Sequence, residues 1–398
     1  MSDRCDVLIS GGGIAGLCAA AAFGAEGFDV ICVDPAAPVT DRDAAGSDLR
    51  TTAFLQPARA LLERAGLWDR LAPHAAPLRT MRIVDAGGER GKPRLVREFH
   101  ASDLSDQPFG WNLPNWLIRR ETAARLADLA NVDFRPGTGT TTLFTRETGA
   151  RVGLSDASRV QTRLLIAADG RDSPMRQAAG IGVRTHRSGQ KALAFAVTHP
   201  IAHDNVSTEI HRSGGPFTLV PLPDLDGSPC SAVVWMERGP RARALQAMDA
   251  DSFEAAMSQR SCQLLGPLKL ASRRSLWPII GQSAHRLSGQ RIALIAEAAH
   301  VVPPIGAQGL NMSLRDLACL LNLAAVRPDG LGDARMLQAY HRQRIRDVTL
   351  RVAGIDLLNR VSMAGMRPIR DARALGLGAL HGVAPLRKTL MRMGLGLR

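Results

Sequence analysis

The stretch DVLISGGGIAG, residues 6–16, decides the fold. Residues 6–10 form a short apolar run that reads as a strand. Gly11, Gly13 and Gly16 then give GxGxxG, and an alanine-rich helical stretch continues to Glu26. Gly27 ends that helix, and FDVICVD (residues 28–34) is a second strand closed by an acid eighteen residues beyond Gly16. Strand, glycine turn, helix, strand and acid in this order make the βαβ dinucleotide fingerprint. Gly11 makes the tight turn, Gly13 admits a pyrophosphate, Gly16 lets helix and sheet approach, and Asp34 can accept hydrogen bonds from a ribose. Ala15 lies in the same turn and joins the candidate cofactor-binding set. The spacing does not separate NAD from FAD.

At 398 residues the chain is long enough for two domains, or for one large nucleotide domain carrying an insertion. Its 45% hydrophobic and 22% charged residues have the balance of an ordinary folded protein. The longest apolar stretches, such as residues 17–23 and 317–321, fall well short of the about 18 residues of a membrane span. Residues 1–4 are polar and a strand already begins at Asp6, so no signal peptide is expected. Cys5, Cys18, Cys32, Cys230, Cys262 and Cys319 are scattered without a CxxC pair. They read as reduced and structural in a cytoplasmic protein, with no metal site.

The formal net charge is +13. Residues 353–398 hold Arg360, Arg367, Arg370, Arg373, Arg387, Lys388, Arg392 and Arg398 against Asp356 and Asp371, with leucines and methionines interleaved. Two readings stand side by side: a solvated helical face, or a peripheral contact with the inner face of a membrane. Nucleic acid is not expected as a partner, because this tail has no aromatic residue for stacking.

Two further stretches share the glycine-bearing strand-end pattern. LLIAADGRDSPMR (residues 164–176) is a buried-type strand followed by Asp169 and Gly170. LIAEAAHVVPPIGAQGLNMSLRDL (residues 294–317) is a strand running into Glu297, His300, Pro303, Pro304 and the small residues Gly306, Ala307 and Gly309, then into a helix. The bare N–H groups of a helix N-terminus favour an anion or an electron-rich oxygen. His300 beside a strand end reads as a backbone hydrogen-bonding residue rather than a catalytic base, and no catalytic residue is assigned.

Taken in order, GxGxxG, Asp-Gly and the proline-glycine loop resemble the flavoprotein aromatic hydroxylases built on the p-hydroxybenzoate hydroxylase plan. Within them the chain is most similar to the ubiquinone-biosynthesis hydroxylases that act on polyprenylated phenols. LRTTAFLQPARALLERAGLWDRL (residues 49–71), WLIRRETAARLADLA (116–130), GPFTLVPLP (215–223), YHRQRIRD (340–347) and PLRKTLMRMGLGL (385–397) carry that likeness. The resemblance implies FAD as cofactor and NADH, NADPH or a protein donor as transient reductant. It implies O2 as co-substrate, with a C4a-hydroperoxyflavin delivering one oxygen to an electron-rich, prenylated aromatic substrate. It places Arg50, Arg119, Asp169, Gly170, Glu297, Pro304, Gly306, Gly309, Leu310 and Asn311 at the cofactor, the last three by backbone beside the flavin ring. Arg120 competes with Arg119 by one position. The family usually has Gly-Asp where this chain has Ala296 and Glu297.

The expected fold is α/β: a Rossmann-type FAD-binding domain with an inserted mixed-sheet substrate domain, and C-terminal helices. The FAD-binding domain is drawn from residues 1–80, 100–180 and 277–350, the substrate domain from 81–99 and 181–276, and a basic helical segment from 351–398. A non-hydroxylating flavin reductase of the same fold, and a catalytically silent scaffold of a quinone-biosynthesis assembly, are the alternatives.

Overall fold

The computed structural model describes residues 2–86, 92–212, 214–363 and 381–397. Its first sheet grows from the opening βαβ unit: β1 (Ser2–Ser10), α1 (Ile14–Ala25) and β2 (Val30–Asp34). β1 lies parallel to β2 on one side and to Arg159–Ala167 on the other, so that Ile9 stands between Cys32 and Ile166. Val132–Pro136 extends the sheet beyond β2, and Ile292–Leu294 extends it beyond Arg159–Ala167, both in parallel. Parallel strands covered on both faces need continuous apolar runs, which VLI, VICV and LLIA supply. The strand ends that carry the three glycine-bearing motifs therefore meet along one edge.

α1 is buried almost all round because its alanines and glycines let it sink against the sheet and against Asn115–Ala127 and Gln308–Val326. A Cβ on Gly16 would lie 1.8 Å from the Gly11 carbonyl oxygen, and one on Gly11 (φ +110°) 2.4 Å from that of Ala168. Glycine at these two positions is a packing requirement.

The second sheet is mixed. Its path runs His300–Val301, Ser275–Ala284, Val183–Thr198, Ser228–Arg238, Pro216–Leu225, Val206–His211, Thr80–Asp85 and Leu95–His100, with Lys269–Leu270 beside Val183–Thr198. Among the described residues only Val206–His211 and Thr80–Asp85 pair in parallel there. Alternation splits its faces. Leu193, Phe195 and Val197 pack with Phe253 and Met257 of a covering helix, whereas Ala192 turns to the other face with Met236 and Ile279. Ile305, from the proline-glycine loop, packs on that second face.

The boundary expected at residues 276/277 falls inside the strand Ser275–Ala284. Val183–Thr198 is 16 residues long, and Ser275–Ala284 pairs along it from Val183 to Ala194. The boundary expected at 350/351 falls inside one 30-residue helix, Ala334–Met363. That helix reaches both sheets: Tyr340 Oη donates to the Leu294 carbonyl at 2.7 Å, and Asn359 Nδ2 donates to Gln190 Oε1 at 2.8 Å. A small third sheet of Thr51–Leu55, Gly110–Pro114 and Ala76–Leu78 has no counterpart in the sequence reading. Gly87, Gly88, Arg367, Arg370, Asp371, Arg373 and Arg398 lie outside the described residues. Among the described residues no helix is long and apolar enough to cross a membrane.

Gly16→Ala should lower the unfolding free energy by about 1–3 kcal/mol, the cost of overpacking a close contact, read as a lower urea midpoint. An unchanged midpoint would show that α1 can withdraw from Gly11 at no cost.

Candidate cofactor site

The glycine turn after β1 divides its duties. Gly11 and Gly16 are pressed against backbone, but a Cβ on Gly13 would meet nothing within 4 Å. Gly13 caps α1 without a side-chain hydrogen bond, so the helix presents its first N–H groups to open space. Asp34 steadies this turn: Oδ2 accepts the Gly12 N–H at 2.6 Å and Oδ1 the Ala36 N–H at 2.8 Å. Sequence reasoning passed over Gly12, whose Cβ would stand 2.9 Å from that of Asp34. The run of three glycines was the available signal. Ala15 is buried just inside the turn.

Asp169 follows directly on the Ala168 contact. Its Oδ2 accepts from the Met175 N–H at 3.1 Å and from Ser10 Oγ at 3.4 Å, while Oδ1 is buried without a hydrogen-bond partner among the described residues. Burial pushes this carboxyl above its ordinary value, against the lowering effect of its hydrogen bonds. Gly170 takes φ +85° and its Cβ direction is open. Arg176, buried, donates through Nη1 to the carbonyls of Arg171 at 2.8 Å and Ala298 at 3.2 Å. It thereby ties the second motif to the third.

In the third motif Ala296 adopts φ +55°. That left-handed conformation favours glycine, which is the physical sense of the glycine usual at this position in the resembling family. Glu297 is exposed, and Arg50 feels its charge at longer range. His300 departs from expectation: its partner is a carboxylate rather than the backbone. Nε2 lies 2.6 Å from Asp316 Oδ2, and Arg344 Nε donates to the other Asp316 oxygen at 2.7 Å, all three side chains being buried. Histidine and arginine thus come to one buried acid because the helix that starts at Gln308 passes beneath the loop.

Pro304 and Gly309 are exposed and Leu310 is half-buried. Gly306 and Ala307 are both left-handed, at φ +63° and +54°, and turn the chain into the uncapped start of Gln308–Val326. The Asn311 side chain is fully engaged. Its Oδ1 accepts from the Leu55 N–H at 2.9 Å, and its Nδ2 donates to the carbonyls of Ala53 and Ala307, each at 2.7 Å. Only its backbone is left for a ligand.

Arg50 and Arg119 come together on an acid that sequence reasoning missed. Arg50 grips buried Asp48 with Nε and Nη2 at 2.8 and 2.7 Å, and lies over the Trp277 ring at 4.1 Å from its centroid. Arg119 Nη2 stands 3.8 Å from Asp48 Oδ2, and Asn115 Nδ2 donates to the same oxygen at 2.9 Å. Arg120 turns outward to Glu121 and Trp116. Burial works to raise the Asp48 carboxyl, but the Arg50 hydrogen bond and charge outweigh it and hold the group below its ordinary value.

Open backbone at Gly13, Gly170 and Gly309, two uncapped helix starts and an unpartnered carboxylate oxygen fit an extended dinucleotide. Residues 4–353 match the FAD binding domain family. The chain is 34% identical over 394 residues to ubiquinone hydroxylase UbiL of Rhodospirillum rubrum, covering 98% of this chain and 89% of that protein. It is 26% identical over 400 residues to the 3-demethoxyubiquinol 3-hydroxylase of Escherichia coli, covering 98% of each. The solved p-nitrophenol 4-monooxygenase PnpA of Pseudomonas putida shares the fold, with a TM-score of 0.81 at 17% identity over 100% of both chains. Fold and match together make this an FAD-dependent aromatic-ring monooxygenase. The chain belongs to the FAD binding domain family, in the company of the ubiquinone hydroxylases.

Asp48 yields a test by acid. Its folded carboxyl titrates below the unfolded value of about 3.9, so its contribution is complete above that pH and drains away as pH falls through the lower folded value. The stability difference between wild type and Asp48→Asn should be constant from pH 5 to 7 and shrink below about pH 4, measured by urea denaturation across that range. A difference that does not vary with pH would exclude a charged Asp48 at this site.

Proposed function

We propose that this chain hydroxylates an electron-rich ring, specifically a polyprenylated phenol on the route to ubiquinone. The observation that carries the reading is the packing of Ile305 on Ala192, Met236 and Ile279, which brings an apolar sheet face against the loop beside the flavin-ring position. The likeness to ubiquinone hydroxylase UbiL and to the Escherichia coli 3-demethoxyubiquinol 3-hydroxylase supports the pathway.

Bound FAD supplies the redox chemistry with O2; the chain's part is to hold, orient and keep dry. In this reading the backbone of Gly11, Gly13, Ala15 and Gly16 cradles the pyrophosphate at the α1 N-terminus, and Asp34 takes the ribose. Arg50 and Arg119 balance phosphate charge, and the Asp169–Gly170 turn borders the middle of the cofactor. Glu297 accepts from the ribityl chain. Pro304 and Gly306 wall the ring, and the N–H groups of Gly309, Leu310 and Asn311 face its polar edge, where the N-terminus of a 19-residue helix favours negative charge. NADH, NADPH or a protein donor supplies electrons transiently. The basic C-terminal segment rests on an anionic membrane surface, from which a prenylated substrate is drawn.

Gly13→Val should fold yet purify colourless, because any side chain there enters the pyrophosphate path. A full FAD complement in that variant would overturn the placement. Glu297→Ala should weaken FAD about tenfold to hundredfold, the worth of one charge-assisted hydrogen bond, by flavin fluorescence titration. Phenol-dependent O2 consumption with product carrying the added oxygen is expected; flavin reduction without it would favour a reductase.

For the tail, binding to vesicles rich in anionic lipid should weaken as salt rises, since exposed charges are screened over about 8–10 Å near physiological ionic strength. Equal, salt-independent binding to neutral vesicles would exclude the electrostatic contact.

A further inference from the structure

The C-terminal helix Ala384–Leu395 runs from the edge of the second sheet to the loop of the first. Before its start, His381 Nε2 lies 2.9 Å from the carbonyl oxygen of Glu98, and its ring meets Phe99 edge-on at 5.4 Å. Both partners belong to the edge strand Leu95–His100. One turn into the helix, Arg387 pairs with Asp103 at 3.4 Å and donates to the His381 carbonyl at 3.0 Å. At the far end, side chains from two other helices reach the last carbonyls, and that of Met393 also accepts the Gly396 N–H at 3.1 Å. Gln308 Nε2 donates to Gly394 O at 2.9 Å, and Arg351 Nη1 donates to Met393 O at 3.2 Å.

Gln308 is the junction. It is buried, opens the helix Gln308–Val326 and follows the left-handed pair Gly306 and Ala307. Its Nε2 also donates to Gly306 O at 2.9 Å, while its Oε1 accepts from Arg351 Nη1 at 3.2 Å and more weakly from Arg315 Nη2 at 3.4 Å. An alanine in the left-handed region is disfavoured and persists where its surroundings over-determine it. Here Asn311 Nδ2 holds the Ala307 carbonyl directly, while one glutamine, two arginines and the end of a helix anchored on the other sheet hold the residues on either side of it.

We propose that Gln308 is a positioning residue for the flavin-ring loop and that Ala384–Leu395 is the strap that holds it. The inference rests on the reading that residues 306–311 back the ring. Its consequence is that contacts at Glu98 and Asp103, on the far side of the molecule's strap, help to set the ring's surroundings.

The test uses the full chain with FAD and three variants. Gln308→Ala removes every side-chain link. Gln308→Glu keeps the acceptor for Arg351 and Arg315 but cannot donate to Gly394. Arg387→Ala cuts the tie to Asp103 at the remote end and leaves His381 on Glu98. Amide hydrogen exchange over residues 305–309, the flavin visible spectrum and its midpoint potential are read for each. Gln308→Ala should exchange roughly tenfold faster in that loop, the scale of one lost hydrogen bond, with a displaced spectrum and potential. Gln308→Glu and Arg387→Ala should move the same readouts in the same direction by less. Wild-type exchange and potential in a folded Arg387→Ala would overturn the strap, and wild-type values in Gln308→Ala or, should that variant not fold, in Gln308→Glu would overturn the positioning role. Exchange in the wild-type loop with and without added FAD separates the two levels. A loop that FAD leaves unprotected sinks the ring reading, whereas the comparison among variants decides the strap.

Discussion

The contact on which the site depends is the seating of α1 against its own turn. Gly16 lies so close to the Gly11 carbonyl, and Gly11 so close to Ala168, that neither position has room for one added carbon. This approach brings β1 and Arg159–Ala167 to a common edge and fixes where the first N–H groups of α1 point. It also sets Asp169 and Gly170 beside them, because Ala168 is both the surface that Gly11 meets and the residue before the turn. Arg176 then carries the geometry on to Ala298 through its guanidinium. A chain of short-range contacts thus aligns three motifs that are far apart in sequence.

Behind the open backbone stands a layer of buried charge. Asp316 has no exposure, and removing a carboxylate from water is costly unless its oxygens are satisfied. His300 and Arg344 satisfy one oxygen each. Breaking such a pair by losing one partner typically costs about 3–5 kcal/mol, even though the intact pair adds little net stability. Such a network therefore acts chiefly as a constraint on geometry. It fixes the strand end that precedes the prolines to the helix that follows them, so the loop between is held at both ends. Asp48 does similar work on the other flank, joining Arg50 to Asn115 and Arg119 of the helix Asn115–Ala127.

What was legible in the sequence was whatever depends on spacing or alternation. GxGxxG between two apolar runs and the Asp-Gly turn follow from periods that a short window can hold. What was illegible depends on long-range partners. Asp48 sits in a polar loop two residues before Arg50, and nothing near it announces Asn115 and Arg119. The partner of His300 lies sixteen residues on, across a loop whose path cannot be read locally. Ser275–Ala284 joins the second sheet because a long strand there has an open flank, a fact about Val183–Thr198 rather than about its own residues. The left-handed backbone of Ala307 gave no signal, since alanine ordinarily marks helix, and that of Ala296 showed only in the glycine usual there in the resembling family.

The strand order of the first sheet also bears on how the chain comes to fold. β1 is flanked by β2, which follows it almost at once, and by Arg159–Ala167, which in turn needs Ile292–Leu294 on its outer side. During synthesis the opening βαβ unit can form early, but its free edge stays uncovered until the middle of the chain emerges, and the next edge until about three-quarters of the chain has been made. Parallel pairing across such separations is slow, because loop-closure entropy is lost before the contacts that offset it form. The nascent chain thus carries exposed apolar strand edges for much of its translation, the condition in which unpaired strands are prone to aggregate.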